Sequence, residues 1–410
     1  MSSLVSIDLG ASSSRYCSDS GIISVVPNNM VFLPTMETSR IQSDAADIES
    51  NLEVQIVKHE ANPNETPLDQ QLQCFPVNVL VGIMAEKHRN VNIRPDLNLH
   101  KHEQMINYIS AVLAVAISKV KYGLDENIDL YLAMPPIEVE KASVEFKRRL
   151  LGTYTVTFPK FNGGTTVEFT ISDVQCSAES LMACTSFFFN GNGSIKDNAK
   201  KYMQGTVLSL DIGASTTDLA IIRRGQFLDK TGKTYKVGGN VARDNLGDMI
   251  TEQYAFDLPI ADLERTMSEG RLQLGNNYAD VSELVNAAKL DLAKRLIQHM
   301  QTYFKQVNIP IQTINTIVVS GGGSMQSQYI DDNGEIVKTS EPMSYFVTQQ
   351  LTEDYSKGTE VVPYGEEARF ANIKGLFIKA KFDNAKKAQE RALAQQAMQL
   401  QGNAVTTDGQ

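Results

Sequence analysis

The sequence predicts an α/β protein made of two similar halves, and an internal repeat together with the strand pattern around it supports this. Residues 6–14 (SIDLGASSS) recur as residues 209–217 (SLDIGASTT), and each copy ends a short aliphatic strand. The copies lie about 200 residues apart, well beyond the ~20–50-residue periods of solenoid repeats. Two α/β halves that face each other are therefore expected.

Composition sets the broad class of protein. The chain has 410 residues, of which 42% are hydrophobic and 21% charged, enough for a sizeable core in roughly two or three domains. The net charge of −10 gives no general attraction to nucleic acid or an anionic membrane, so direct nucleic-acid binding is not expected. No C-x-x-C pair occurs among Cys17, Cys74, Cys176 and Cys184, which favours a reduced, cytoplasmic setting.

No targeting or membrane segment is predicted. The first residues lack the basic start and long apolar stretch of a signal peptide. The most apolar helical stretch, residues 109–120, is shorter than the ~20 residues that a membrane-spanning helix needs. We therefore expect a protein without membrane contact.

In the first half, strands 4–7 and 12–17 form a hairpin around Gly10. Prolines and polar runs in residues 27–98 predict a strand-rich insertion. The remaining predicted elements are a helix at 99–122, a strand at 129–134, a helix at 139–150, strands at 153–158 and 165–171, and a helix at 177–188. Ser177 is the expected N-cap of that last helix, and residues 191–204 form an exposed link.

The second half repeats the pattern. Predicted strands lie at 206–210, 219–223 and 316–320, and predicted helices at 241–254, 281–304, 365–377 and 380–399. Residues 402–410 are predicted to be a disordered tail.

The two repeated turns are the clearest chemical signal. Glycine permits a tight turn and close approach of a ligand, while successive backbone N–H groups and hydroxyls can cradle phosphate oxygens. The aspartates of the turns, Asp8 and Asp211, would repel phosphate but suit the water shell of Mg²⁺. A single copy would be read as an ordinary β-turn, but two copies in equivalent contexts favour phosphate binding.

Other segments allow two interpretations. The glycine turn at Gly321, Gly322, Gly323 and Ser324 follows a strand and would lie against a base or ribose, although such turns are common. Glu179 begins a helix, where the helix dipole favours an acid and where it could equally orient an attacking water. His100 and His102 lack metal-ligand spacing and are expected to be solvated surface residues. Gly232-Lys233-Thr234 is not a P-loop because Phe227 stands where a glycine is required.

Taken in order, five segments resemble the signatures of the actin/sugar-kinase/chaperone ATPase superfamily. They are the first phosphate loop at 8–15, a first connecting helix at 178–180, the second phosphate loop at 211–218, an adenosine segment at 318–324 and a second connecting helix at 370–377. The resemblance implies an actin-like (ribonuclease-H-like) two-domain α/β fold with a nucleotide cleft between the halves.

The same resemblance implies the site residues. Asp8 and Asp211 would hold Mg²⁺ through water, and Glu179 would position the water that attacks the γ-phosphate of ATP or GTP; Glu179 and Asp211 are thus the expected catalytic residues. Arg15 would pair with a terminal phosphate. The remaining phosphate, base and ribose contacts would come from Gly10, Ser12, Ser13, Gly213, Ser215, Thr216, Gly239, Asn240, Lys289, Gly321, Gly322, Gly323 and Ser324.

Within the superfamily, residues 131–136, 146–154 and 371–377 are similar to the ParM (StbA) plasmid-segregation proteins. This similarity implies a nucleotide-dependent ATPase that assembles head to tail into a helical filament and segregates plasmid DNA through a ParR-like DNA-binding adaptor. The alternatives are a monomeric phosphotransferase related to sugar or acetate kinases, and a scaffold for cell shape or division.

The expected domain division follows the superfamily. Domain I would comprise residues 1–29, 96–203 and 355–380, with an insertion at 30–95. Domain II would comprise residues 204–236 and 310–354, with a helical subdomain at 237–309, followed by a C-terminal helix and tail at 381–410.

Overall fold

The protein is described here by a computed structural model, which covers residues 2–11, 13–34, 48–49, 51–59, 77–86, 88, 93–96, 98–354 and 358–405. Its strands in the amino-terminal half are β1 Ser3–Leu9, β2 Ser13–Ser18, β3 Ile23–Pro27, β4 Met30–Leu33, β5 Asn51–Lys58, β6 Val77–Gly82, β7 Asn127–Met134, β8 Gly152–Phe158 and β9 Thr165–Ala178. Those in the second half are β10 Thr206–Ile212, β11 Thr217–Arg223, β12 Gln226–Phe227, β13 Lys233–Tyr235, β14 Arg271–Leu274, β15 Asn277–Asp280, β16 Thr316–Ser320, β17 Gln328–Ile330, β18 Ile336–Lys338 and β19 Glu360–Pro363.

The α-helices in these residues vary from one turn to the long carboxy-terminal helix. They are α1 Ile83–Glu86, α2 Met105–Tyr122, α3 Val139–Leu150, α4 Glu179–Phe188, α5 Lys200–Met203, α6 Gly239–Tyr254, α7 Ile260–Glu269, α8 Ser282–Val307, α9 Met343–Asp354 and α10 Ala371–Val405.

Two sheets share one topology. The first has the strand order β3-β2-β1-β7-β9-β8-β5-β6-β4, and the second has the order β12-β11-β10-β16-β19, with β13 also paired to β11. In each sheet an antiparallel hairpin (β1–β2 or β10–β11) is followed by parallel strands (β7 and β9, or β16 and β19). The two predicted halves are therefore equivalent in topology, which places the two repeated turns at corresponding sheet edges.

Each half has its own apolar core, and two helices pack where the halves meet. α4 contributes Met182 to a cluster with β1 and β7, and Cys184 and Phe188 to a cluster with β10, β11 and β16. α10 packs on α4 and on β1 of the first sheet. Cys17, Cys176 and Cys184 are free thiols, whereas Cys74 lies outside the described residues.

Several element boundaries differ from the sequence predictions. The helix expected from residue 99 begins at Met105, because Gln104 has an extended backbone and caps a preceding one-turn helix at Lys101–Glu103. Ser177 is not an N-cap, since β9 continues to Ala178 and the helix begins at Glu179 without a side-chain cap.

The carboxy-terminal segment also differs. The two helices predicted at 365–377 and 380–399 form one helix, α10, which continues through residues 402–405 that were expected to be disordered. Residues 406–410 lie outside the described residues. Helices α7 and α9 and the hairpins β14–β15 and β17–β18 were not predicted.

One helix among the described residues, Met105–Tyr122, is long and apolar enough to cross a membrane by length and composition. It is longer than the predicted 12-residue apolar stretch, but 72% of it is buried inside the protein. Its residues belong to the core of the first half, so the apolar composition is explained by packing.

Candidate functional site

A cleft of about 770 Å³ lies between the two halves and is lined from both. That volume suits a nucleotide-sized ligand. The first half contributes the turn after β1, and the second half contributes the turn after β10. The predicted site residues that line it are Asp8, Gly10, Arg15, Glu179, Asp211, Gly213, Ser215, Thr216, Gly239, Asn240, Lys289, Gly321, Gly322 and Gly323.

Two of the predicted residues that the structure describes, Ser13 and Ser324, are not in this lining. Ser13 lies on β2 and is not part of the cleft wall among the described residues, and Ser12 lies outside them. Ser324 is buried and donates its hydroxyl to the carbonyl oxygen of Gly321 at 2.7 Å. Its position supports the glycine turn and does not face the cleft.

The first hairpin places a cation opposite an acid. Asp8 on β1 is the cross-strand partner of Arg15 on β2, and the Arg15 guanidinium donates to the Asp8 carboxylate at 3.4 Å. Asp8 is 4% exposed. Because Arg15 reaches the cleft beside Gly10, its guanidinium is available to an anion held at that turn.

The second hairpin places an acid at the equivalent position. Asp211 on β10 is the cross-strand partner of Asp218 on β11, and both side chains are buried. Burial raises the pKa of Asp218 well above its ordinary value, and the nearby Glu179 charge raises it further, against a 2.5 Å hydrogen bond donated by Thr234. The two hairpins therefore have the same backbone pairing, but the first pairs an acid with a cation and the second pairs two acids.

Glu179 completes a group of three buried carboxylates. One oxygen from each of Glu179, Asp211 and Asp218 lies within 4.8 Å of the others. Burial raises the pKa of Glu179 to about 7; Lys101 opposes the shift and Asp8 adds to it. Like charges this close favour a neutralising cation.

A cation that the sequence analysis did not identify is in contact with this group. The Lys101 ammonium forms an ion pair with the Glu179 carboxylate. Burial lowers the pKa of Lys101, but the charges of Glu179 and Asp8 and the hydrogen bond to Glu179 outweigh it, so the pKa is raised overall. Lys101 is therefore held in its charged form next to the acids.

The segment that carries Lys101 is fixed by Glu138. The Glu138 carboxylate accepts a hydrogen bond from the backbone N–H of Lys101 at 2.8 Å. Its oxygens lie 3.2 Å from Nδ1 of His100 and 3.4 Å from Nδ1 of His102. His102 is buried, so the expectation of a surface histidine is wrong for this residue. The two rings stack with their centroids 5.4 Å apart, and together these contacts hold the Lys101 backbone at the cleft.

Asp211 is held in place by one neighbouring strand and one helix. Ser320, at the end of β16, donates to one carboxylate oxygen at 3.0 Å, and Asn372, in the first turn of α10, donates to the other at 2.8 Å. Gly321 has φ +86°, and a Cβ there would lie 2.3 Å from the carbonyl oxygen of Ile212. This position therefore requires glycine.

The turn between β10 and β11 is hydrogen-bonded to the start of α6. The backbone N–H groups of Gly239 and Asn240 donate to the carbonyl oxygens of Gly213 and Ala214, and Asn240 donates its side chain to Ser215. These bonds tie the first turn of α6 to the turn after β10.

Lys289, predicted to contact the base or ribose, has other partners. Its ammonium donates to oxygens of Met325, Ser327, Ser340 and Glu341 at 2.7–3.3 Å. Burial lowers its pKa to about 7, and Glu341 opposes that shift. Lys289 lines the cleft but also ties α8 to the segment around the β17–β18 hairpin.

The donor set suits Mg²⁺. Mg²⁺ prefers a few carboxylates together with water and phosphate oxygens, and the three clustered carboxylates are all oxygen donors in a buried pocket. The group differs from the predicted pair, since Asp218 and Glu179 cluster with Asp211 whereas Asp8 is paired with Arg15.

Comparisons with known proteins give a consistent picture of the fold. The family description "archaeal actin homologue MreB-like, C-terminal" matches residues 209–329. No curated protein matches the chain.

Solved structures match nearly the whole chain. The actin-like protein Alp7A is 19% identical, with a TM-score of 0.71 over 96% of this chain and 100% of its own. An archaeal actin homologue is 15% identical, with a TM-score of 0.66 over 93% and 99%. Bacillus thuringiensis ParM with ATP is 17% identical, with a TM-score of 0.62 over 94% and 99%. The predicted actin-like fold and the resemblance to the ParM fold are confirmed.

Proposed function

We propose that this chain is a nucleotide-dependent, filament-forming ATPase that closes its two halves around a triphosphate. The observation that supports this most directly is the pair of equivalent hairpin turns, at Gly10 and Gly213, that line one cleft from opposite halves. Neither turn alone surrounds a triphosphate. A ligand that contacts both favours the closed form of the cleft by its differential affinity for that form.

The phosphates would be bound by the backbone of the two turns. Ser215 and Thr216 would add hydroxyl donors from the second turn, and Arg15 would add a charged donor from the first. Ser12 and Ser13 stay predictions as further donors. The base and ribose would lie toward Gly239, Gly322 and Gly323, with Asn240 and Lys289 as further contacts.

Mg²⁺ would be held, directly or through water, by Asp211, Asp218 and Glu179, with Asp8 nearby, and it supplies charge neutralisation to the phosphates. Glu179 would accept a hydrogen bond from the attacking water and orient it. Phosphoryl transfer needs little further from a protein beyond alignment and charge stabilisation. Either ATP or GTP fits this chemistry.

We extend the proposal to polymerisation and to the cargo of the filament. Closure of the cleft would produce a subunit that stacks head to tail, and a heterologous contact that does not close gives a helical filament. Because the chain is acidic, we propose that the filament contacts DNA through a basic ParR-like adaptor and works in the cytoplasm to segregate plasmid DNA. We also propose that the chain divides into domains I and II at the bounds expected from the sequence.

Light scattering and negative-stain electron microscopy of the purified protein test the proposal. With ATP or GTP and Mg²⁺ we expect filaments and steady phosphate release, and with EDTA we expect neither. Asp211→Asn should remove both, whereas the surface variant Asp262→Asn, which changes the same group outside the cleft, should behave as wild type. A protein that stays monomeric and consumes nucleotide only with a second substrate would instead be a phosphotransferase.

A further inference from the structure

Lys101 lies beside the group of three carboxylates, Glu179, Asp211 and Asp218, that would hold a metal ion. Its ammonium contacts Glu179, and the charges of Asp8 and Asp218 also act on it. Four buried carboxylates, Asp8, Glu179, Asp211 and Asp218, thus lie near the cations Lys101 and Arg15, and Arg15 is paired with Asp8. Of the two, Lys101 is the one in contact with the metal-binding group of three carboxylates.

This lysine is held by both of its peptide groups. Its backbone N–H donates to Glu138, and its carbonyl oxygen accepts from the side chain of Asn107 at 2.9 Å. Gln104 ties the same loop together by donating to the carbonyl oxygens of Asp96 and Leu99. A lysine on a free surface loop would lose much side-chain entropy in reaching a buried acid, whereas here the backbone already places the side chain at the cleft.

We propose that Lys101, held in position by its own backbone contacts, is the counter-ion that neutralises the three clustered carboxylates when no nucleotide is bound. The inference rests on the proposed function, because it concerns the metal site of the nucleotide. In the nucleotide-free protein a divalent cation must displace a buried, hydrogen-bonded ammonium before it can bind Glu179. Breaking such a pair leaves an uncompensated buried charge, which is costly. Metal alone therefore binds weakly.

A bound triphosphate changes this balance. Its negative charges offer the ammonium a new partner inside the same cleft, so the carboxylates become available to the metal that arrives with the nucleotide. Lys101 thus couples metal binding to nucleotide binding and keeps the empty site from being occupied by free divalent ions. Such coupling is a free energy between two ligands, and its loss is measurable as a change in affinity.

The experiment measures Mn²⁺ binding to the full chain without nucleotide, by electron paramagnetic resonance of free Mn²⁺. Wild type is compared with Lys101→Gln, the charge-retaining Lys101→Arg, the double variant Lys101→Gln/Glu179→Gln, and Lys200→Gln. Lys200 is exposed and lies outside the cleft lining, so its variant controls for the loss of one positive charge. Circular dichroism establishes that each variant is folded.

We expect Lys101→Gln to bind Mn²⁺ at least about tenfold more tightly than wild type. Lys101→Arg and Lys200→Gln should bind as weakly as wild type, and the double variant should lose the gain. Equal affinity of Lys101→Gln and wild type overturns the proposal. Micromolar binding of Mn²⁺ by nucleotide-free wild type also overturns it, and that measurement needs no variant.

Calorimetric titration of wild type with ATP and Mg²⁺ separates this proposal from the proposed function. If no nucleotide binds, the proposed function fails, whatever the Mn²⁺ affinities are. If nucleotide binds but Lys101→Gln gains no affinity for Mn²⁺, only the counter-ion role fails.

Discussion

A Cβ atom on Gly375 would lie 1.8 Å from the carbonyl oxygen of Met182. Gly375 is in α10 and Met182 is in α4, so this contact sets how closely the two helices between the halves approach. The oxygen is a backbone atom and cannot move aside as a flexible side chain would. The close approach of these helices therefore depends on glycine at this one position.

We expect Gly375→Ala to destabilise the protein by about 1–3 kcal/mol, since the added methyl group must push the two helices apart. Chemical denaturation monitored by circular dichroism measures the change. Gly191→Ala is the matched control, because a Cβ at Gly191 meets nothing within 4 Å. Equal stability of the two variants would mean that the helices repack without cost.

Replacing Glu179 with glutamine should slow nucleotide hydrolysis about 100-fold or more, while filament assembly persists at saturating nucleotide and Mg²⁺. The amide keeps the size of the side chain but is a poor acceptor for a proton of the attacking water. Phosphate release and light scattering measure the two effects, and filaments should disassemble more slowly. Glu283→Gln is the control, since Glu283 is also an acid in the first turn of a helix. If both variants hydrolyse nucleotide as wild type, Glu179 serves only the helix dipole.

The stability of the nucleotide-free protein should fall as Glu179 ionises. Burial raises its pKa from 4.5 to about 7, so the folded state binds this proton more tightly than the unfolded chain. The stabilisation is complete below about pH 4.5 and is lost as pH rises through about 7, with a slope of at most about 1.4 kcal/mol per pH unit.

Thermal unfolding in EDTA over this pH range compares wild type with Glu179→Gln. The difference between them should change with pH, whereas the exposed control Glu252→Gln should run parallel to wild type. Parallel curves for wild type and Glu179→Gln would contradict a raised pKa.

Asn372→Ala should weaken Mg²⁺-dependent nucleotide binding about tenfold, because the hydrogen bond that holds one oxygen of Asp211 is lost. Removal of that bond also favours the protonated form of Asp211, whose pKa burial already raises. Titration calorimetry with and without Mg²⁺ measures the effect, which should be confined to the Mg²⁺ condition. A similar loss in EDTA would indicate a general structural defect instead.

The repeated segments allowed the fold and both hairpin turns to be predicted, because a hairpin is a local pattern. The burial of Asp218 beside Asp211 was not predicted, although the sequence contained the signal for it. Counting outward from the turn at Ala214 and Ser215 places Asp218 opposite Asp211, just as Arg15 stands opposite Asp8. That cross-strand register is the signal that would have identified the acid pair.

Lys101 and Glu138 had no comparable signal. They lie far along the chain from Asp8 and Asp211, and the apolar period of α2 extends the predicted helix over Lys101. The helix does not extend back beyond Met105, because the side chain of Gln104 bonds to the backbone of Asp96, Leu99 and His100. Side-chain contacts of that kind have no periodic pattern in the sequence. The burial of His102 depends on the same contacts, so it had no signal in the sequence either.

α10 joins the cleft to the central strands β7 and β9 of the first sheet in a single helix. Asn372 in its first turn bonds Asp211, and Lys387, about 22 Å further along at 1.5 Å per residue, bonds Asp173 and Asp129. The helix is continuous between these two contacts. The carboxylate at the cleft and the contacts of Lys387 are therefore coupled through one continuous helix, so a displacement of Asp211 would be felt at Asp173 and Asp129.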